Sequence, residues 1–424
     1  MLDRKIIDAY TEILKEELVM ATGCTEPIAI AYCAARMRAL LGGIPERVTV
    51  EVSGNIVKNA KCVVVPCTGN LKGIEAAAAA GIVAGDEKKM LQVISCITEK
   101  KQAEIKEFLE DRPIKVICME TSRMLEIKIT GYVGNDSAVC HIANNHTNVV
   151  YEEKNGRVLI QSELSDSAEN NLCDKSVLNV KDIVEYANTV DLHEIGATIT
   201  NQIECNSQIA EEGLHGNWGA NIGRVLLKNS CGDIVTEAKA YAAAGSDARM
   251  SGCECPVVIV SGSGNQGITA SMPVVRYAKR IGASNAEMLR AVIVSDLITI
   301  HQKTGIGRLS AYCGAVSAGC GAGAGIAYLL GGDCEAIAAT VTNAIAVLSG
   351  TICDGASPSC ASKIAMSVEA GILGYQMYTE DQRFNDGDGI VAKGVEETIA
   401  NVGRLAKQGM YQTDRTILRI MTGN

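Results

Sequence analysis

Between residues 47 and 57 the sequence RVTVEVSGNIV alternates apolar and polar positions, and AKCVVVPCTG at 60–69 runs apolar with β-branched side chains; the two read as paired strands. The stretch before them, MLDRKIIDAYTEILKEELVMA, is amphipathic and reads as a helix. Beyond them GIEAAAAAGIVAG (73–85) and EKKQAEIKEFLED (99–111) read as helices, while IKVICME (114–120), LEIKITGYVG (125–134) and HTNVVYEEKNG (146–156) read as further strands. From VKDIVEYANTV at 180–190 onward the pattern is helical, interrupted only by the apolar run PVVIVS at 256–261. The expected fold class is therefore α+β, with a mixed α/β domain over residues 1–160 and a mostly helical domain over 176–424. The polar segment QSELSDSAENNLCDKS, 161–176, is the expected linker, and no fixed-period repeat is visible.

Composition sharpens this picture. With 47% apolar and 21% charged residues the chain is globular, and with 42 glycines but only 4% aromatic residues it predicts helices packed closely through small side chains. A formal charge of −10 and the lack of any Lys/Arg block argue against a nucleic-acid or anionic-membrane surface, which leaves a small-molecule substrate as the expected partner. The acids spread through the first helix fit neither a signal nor a transit peptide, so a cytoplasmic protein is expected. CGAVSAGCGAGAGIAYLL (313–330) and CEAIAATVTNAIAVLSG (334–350) are apolar but rich in Gly and Ala with polar residues interspersed, and read as buried helices rather than membrane spans.

Seventeen cysteines in a reducing compartment read as thiols. Cys33, Cys62, Cys96, Cys118, Cys140, Cys173, Cys205, Cys231 and Cys334 lie singly in ordinary segments and are expected as small buried hydrophobes. Cys24, Cys67, Cys253, Cys255, Cys313, Cys320, Cys353 and Cys360 sit in turns or glycine-rich contexts and need another explanation.

Four stretches carry candidate chemistry. GSGNQG at 262–267 matches G-x-G-x-x-G, but the residues after it read as small-residue helix, without the further strands of a dinucleotide fold. Its local physics remains: a glycine loop entering a helix N-terminus is an anion site, suited to a carboxylate as well as to phosphate, with side-chain donors from Ser263, Asn265 and Gln266. In ATGCTEPIAIAY (21–32), Thr25 is placed to cap a helix with Pro27 in its first turn, and Cys24 at the positive helix end is expected as a low-pKa thiolate; a small turn filler is the bland alternative. His146 in HIANNHTNVV is a candidate polar group, with an ordinary structural role as the alternative. Cys313 in SAYCGAVSAGCGAG, with Cys353 and Cys360 in TICDGASPSCASK, suits an iron-sulfur cluster held by thiolates, while zinc or a plain structural role stays open on spacing alone.

TGCTEPIA (22–29), KNAKCVVVPCTG (58–69), HTN (146–148), GSGNQGI (262–268), CGAVSAGC (313–320) and TICDGASPSC (351–360), running in order on to GMYQTDRTILRIM (409–421), together resemble the L-cysteine desulfidase family, which is related to the iron-sulfur L-serine dehydratases. The resemblance implies a [4Fe-4S] cluster bound by Cys313, Cys353 and Cys360 and a reactive Cys24; three thiolates would leave one iron open as a Lewis acid, and Cys24 is expected either to cap that iron or to take the substrate α-proton. It implies substrate contacts at Thr25, Glu26, Asn55, Asn59, Thr68, His146, Thr147, Asn148 and the loop Ser263, Gly264, Asn265, Gln266 and Gly267. The expected reaction is β-elimination of L-cysteine to sulfide, ammonia and pyruvate by a homodimer; L-serine dehydration and a non-catalytic iron-sulfur sensor are the alternatives. One departure is Cys67, where the family pattern favours glycine, and Cys320 is assigned to helix packing.

Overall fold

The computed structural model describes residues 2–121, 123–162, 173–307 and 309–423. The chain runs α1 (Arg4–Glu17), β1 (Met20–Thr22), α2 (Thr25–Leu41), β2 (Arg47–Val52), α3 (Gly54–Ala60), α4 (Gly73–Ala84), α5 (Glu99–Asp111), β3 (Ile114–Cys118), β4 (Glu126–Val133), β5 (Asp136–Ala143), β6 (Val149–Lys154) and β7 (Arg157–Gln161). It continues through α6 (Val180–Thr189), α7 (Leu192–His215), α8 (Ile222–Lys228), α9 (Ile234–Met250), β8 (Pro256–Val258), α10 (Gly264–Ile281), α11 (Asn285–Ile306), α12 (Gly314–Leu329), α13 (Cys334–Leu348), α14 (Cys360–Thr379), α15 (Val395–Arg404) and α16 (Tyr411–Thr422). The expected α+β class holds. Most of the expected linker, residues 163–172, lies outside the described residues.

Strands β2 to β7 form one sheet in the order β3-β2-β4-β5-β6-β7, parallel only at β2–β3. The buried helix α2 covers it at β4 and β5 and packs against α4 on its other side. Small residues make this contact possible: a Cβ on Gly81 of α4 would lie 2.1 Å from the Ala31 carbonyl oxygen of α2. The same device joins α12 to α14, where a Cβ on Gly371 would meet the Gly319 carbonyl oxygen at 2.1 Å. Among the described residues no helix is long and apolar enough to cross a membrane, and the two apolar stretches become α12 and α13.

Several local expectations are corrected. The strand expected at 47–57 ends at Val52, and residues 54–60 turn into α3. Its continuation at 60–69 is not a strand either: Val64 makes an isolated bridge to Lys72, Pro66 cannot donate to a ladder, and Cys67 bends the chain at φ 61°. That left-handed φ is the backbone freedom for which glycine is favoured at position 67. The first helix ends at Glu17 rather than running through Ala21, and strands β1, β5 and β7 add to the expected set; β5 pairs with β4 through a hairpin at Val133–Asp136. Cys62, Cys96, Cys118 and Cys231 are exposed rather than buried.

Helix α16 docks back on α3 through a buried ion pair, Lys58 Nζ to Asp414 Oδ1 at 2.5 Å, with Asn55 Nδ2 donating to Asp414 Oδ2 at 3.0 Å. The α12–α14 contact gives a direct test of the packing. Gly371→Ala should lower unfolding free energy by about 1–3 kcal/mol, because backbone must move to admit a methyl group. Gly43→Ala, where a Cβ meets nothing within 4 Å, should leave it unchanged to within about 0.5 kcal/mol, as denaturant titration of both variants will show.

Candidate active site

Two short backbone pairings assemble the site. Strand β1 pairs antiparallel with β8, Met20 opposite Val258 and Thr22 opposite Pro256, and Ile259 N–H donates to the Val19 carbonyl at 2.9 Å. The turn before α2 is thereby set beside the glycine loop before α10. An isolated bridge between Tyr312 and Ile352, with Cys313 N–H on the Thr351 carbonyl at 3.1 Å and Cys353 N–H on the Ala311 carbonyl at 2.6 Å, sets the Cys313 turn beside the Cys353 loop.

Between these turns lies a cavity of about 750 Å³ including its mouth, walled by Cys24, Thr25, Glu26 and Asn59, by Ser263, Asn265 and Gln266, and by Cys313, Cys353 and Cys360. Four helices begin at its wall: α2, α10, α12 and α14, with N-caps Cys24, Ser263, Cys313 and Ser359, none making a side-chain cap hydrogen bond among the described residues. Their positive dipole ends lie at the same space, which favours anionic occupants, although at α14 the Cys360 and Ala361 N–H groups already donate to the Ser357 and Pro358 carbonyls. Glycine permits the close walls. A Cβ on Gly264 would lie 2.3 Å from Arg249 Nε, and one on Gly355, at φ 101°, would lie 2.3 Å from the Lys58 carbonyl oxygen.

The charges differ from the expectation. Cys24, not Thr25, is the N-cap; Thr25 Oγ1 lies 3.0 Å from Glu26 Oε2 and donates to the Gly262 carbonyl at 3.1 Å. Cys24 is a thiol, not the expected thiolate. Burial and the Glu26 charge push its pKa well above the usual range, against the opposing Arg249, and its Sγ donates to Glu26 Oε2 at 3.2 Å. Burial would raise the Glu26 pKa too, but His146, the Cys24 thiol and Arg249 hold it at about 2. Burial, with Cys353 beside it, likewise raises Cys313 to about 12.

Of the expected substrate residues, Thr25, Glu26, Asn59, Ser263, Asn265 and Gln266 line the cavity with Cys24. Gly264 opens α10 against Arg249, while Gly267 packs against β8, where a Cβ would lie 2.0 Å from the Val258 carbonyl oxygen. The remaining residues face elsewhere. Asn55 is committed to Asp414, Thr68 Oγ1 donates to the Val65 carbonyl at 2.7 Å, and Asn148 Nδ2 donates to the Ala143 carbonyl at 2.9 Å. His146 and Thr147 line a separate cavity, although His146 Nε2 lies 3.9 Å from Glu26 Oε1. Cys320 is buried within α12, away from the cavity wall.

Sequence reading missed several residues of the wall, among them Arg249, Lys303 and Tyr312. Arg249 is 2% exposed, its Nη1 donates to Asn265 Oδ1 at 3.1 Å, and its Nε has no hydrogen-bond partner among the described residues. A guanidinium ending the small-residue helix YAAAGSDARM was the available signal. Among the described residues no group of three or more His, Cys, Asp or Glu side chains is arranged to hold a metal ion.

Residues 87–419 match the family described as serine dehydratase alpha chain. Curated relatives, each a UPF0597 protein, span nearly the whole chain. That of Desulfitobacterium hafniense is 54% identical over 412 residues, covering 97% of this chain and 96% of its own. Those of Lachnoclostridium phytofermentans and Treponema denticola are 48% and 44% identical, each covering 99% of both chains. With its cysteines, glycine loop and helix starts gathered on one cavity, the chain belongs to the serine dehydratase alpha-chain family.

Proposed function

We propose that this lyase catalyses β-elimination of L-cysteine to sulfide, ammonia and pyruvate, with Cys313, Cys353 and Cys360 holding a [4Fe-4S] cluster. The observation that carries the reading is one cavity shared by four thiols, Cys24 and the three proposed ligands, with four helix N-termini uncapped by side chains and the unpaired Arg249 Nε. The donor set fits. Three thiolates suit iron-sulfur ligation, the helix ends offset their charge, and cysteines that each bind a different iron need not close on one point as zinc ligands do. Bound there, the cluster would supply Lewis-acid iron for the departing sulfide.

The chain's own groups do the rest. Arg249 Nε and the first-turn N–H groups of α10 receive the substrate carboxylate. The Asn59 and Gly262 carbonyls, with the Glu26 charge beside them, receive its ammonium group. Because Cys24 rests as a thiol, it acts with Glu26: Sγ takes the α-proton as its own proton passes to Glu26 Oε2 along the 3.2 Å hydrogen bond. The pair therefore never exposes a free thiolate. The released enamine hydrolyses to pyruvate and ammonia without further catalysis.

The second reading is L-serine dehydration, favoured by the family's description and differing only in the leaving group. Anaerobic assay of the purified protein with each amino acid, following pyruvate, ammonia and sulfide, separates the two; turnover of serine alone rejects the cysteine reading.

Alanine at Cys313, Cys353 or Cys360 should abolish the brown chromophore of the anaerobically isolated protein, and stoichiometric zinc without iron would reject the cluster. Arg249→Ala should raise KM for the amino acid by about 10–100-fold, the worth of a charge-assisted hydrogen bond. Cys24→Ser should keep the chromophore yet lower exchange of the substrate α-hydrogen with deuterated solvent by about 100-fold or more; exchange at the parent rate would assign the base elsewhere.

A further inference from the structure

Among the described residues a second cavity, of about 1130 Å³ including its mouth, shares no lining residue with the first. It is walled by His146 and Thr147, by Glu16 and Met20 at the end of α1 and in β1, and by Lys88 and Gln92. The two spaces nevertheless come within one contact of each other. Glu26 lines the first, His146 lines the second, and Glu26 Oε1 is 3.9 Å from His146 Nε2. His146 is 2% exposed, and its Nε2 has no hydrogen-bond partner among the described residues.

The other carboxylate oxygen completes a line. Cys24 Sγ donates to Glu26 Oε2 at 3.2 Å, so the side chain of Glu26 spans from the thiol in one cavity to the imidazole bordering the other. We propose that Glu26 and His146 form the exit for the substrate α-proton, carrying it from Cys24 into the second cavity. This rests on the β-elimination reading. In that reaction the Cα–H bond breaks and its electrons form the C=C bond, while the Cβ–S bond breaks and its electrons leave with sulfide. With the sulfur leaving as hydrosulfide, which keeps only its own proton, the α-proton is left on the protein at each turnover. Glu26 Oε1 faces His146 Nε2 at 3.9 Å, and a contraction of about 1 Å would bring the two into hydrogen-bond range for the transfer. The second cavity then offers water as the final acceptor. His146 acts through Glu26 and is a positioning and relay residue, not a binding one.

The test uses the cluster-loaded, anaerobic enzyme. His146→Gln, which fills the same space but cannot shuttle a proton, should lower kcat by about 100-fold with KM and the substrate-induced change in the cluster spectrum retained. His146→Ala should be equally slow and recover at least part of its rate with added imidazole, which the second cavity can admit. A His146→Gln rate within twofold of the parent, a raised KM with unchanged kcat, or no response of His146→Ala to imidazole would each overturn the exit. If the parent itself turns over neither cysteine nor serine, the β-elimination reading fails first, and this inference with it.

Discussion

Four helices begin around one cavity and leave their first-turn donors uncapped by side chains, a constraint around which the site is organised. An uncapped helix start carries roughly half a positive charge and several N–H groups in need of acceptors, so it is tolerated where something anionic is to be received. Four such ends facing one another would repel across an apolar space. Together with Arg249 and Lys303 on the same wall, they make a space suited to thiolates and a carboxylate.

That field does not dominate every group within it. A helix terminus is worth about 0.3–1 kcal/mol, up to ~2 kcal/mol in partly buried settings. Complete burial of Cys24 beside the Glu26 charge outweighs it, and the thiol keeps its proton. Cys96 shows the opposite balance: exposed, with Lys89 Nζ 2.8 Å from its sulfur, it has a lowered pKa. The contrast makes Glu26 the natural acceptor beside Cys24, a role that neither residue would show alone.

The scaffold keeps the helix starts in register through close backbone contacts. Glycine contacts between α12 and α14 fix the elements that open at Cys313 and Cys360. The Lys58–Asp414 pair holds α3, whose Asn59 reaches the cavity and whose Lys58 carbonyl lies where a side chain at Gly355 would fall. Thus the C-terminal helix, remote in sequence, supports the loop that carries Cys353 and Cys360.

By itself the sequence determined the α+β class, the long helices, the glycine loop before α10 and the turn before α2, because each is written in local periodicity or in residues with restricted backbone choices. Of the turns that look special in sequence, those at Cys24, Ser263, Cys313 and Cys353 meet, whereas Cys67, Cys253 and Cys255 do not line the cavity. Only the tertiary structure decided that Arg249 lines the cavity, that Asn55 and Thr68 are committed elsewhere, and that His146 borders a different space. It also decided the protonation of Cys24. Helix position is local and readable, whereas burial and a neighbouring carboxylate depend on how distant segments pack, and here desolvation and the Glu26 charge are the larger energies.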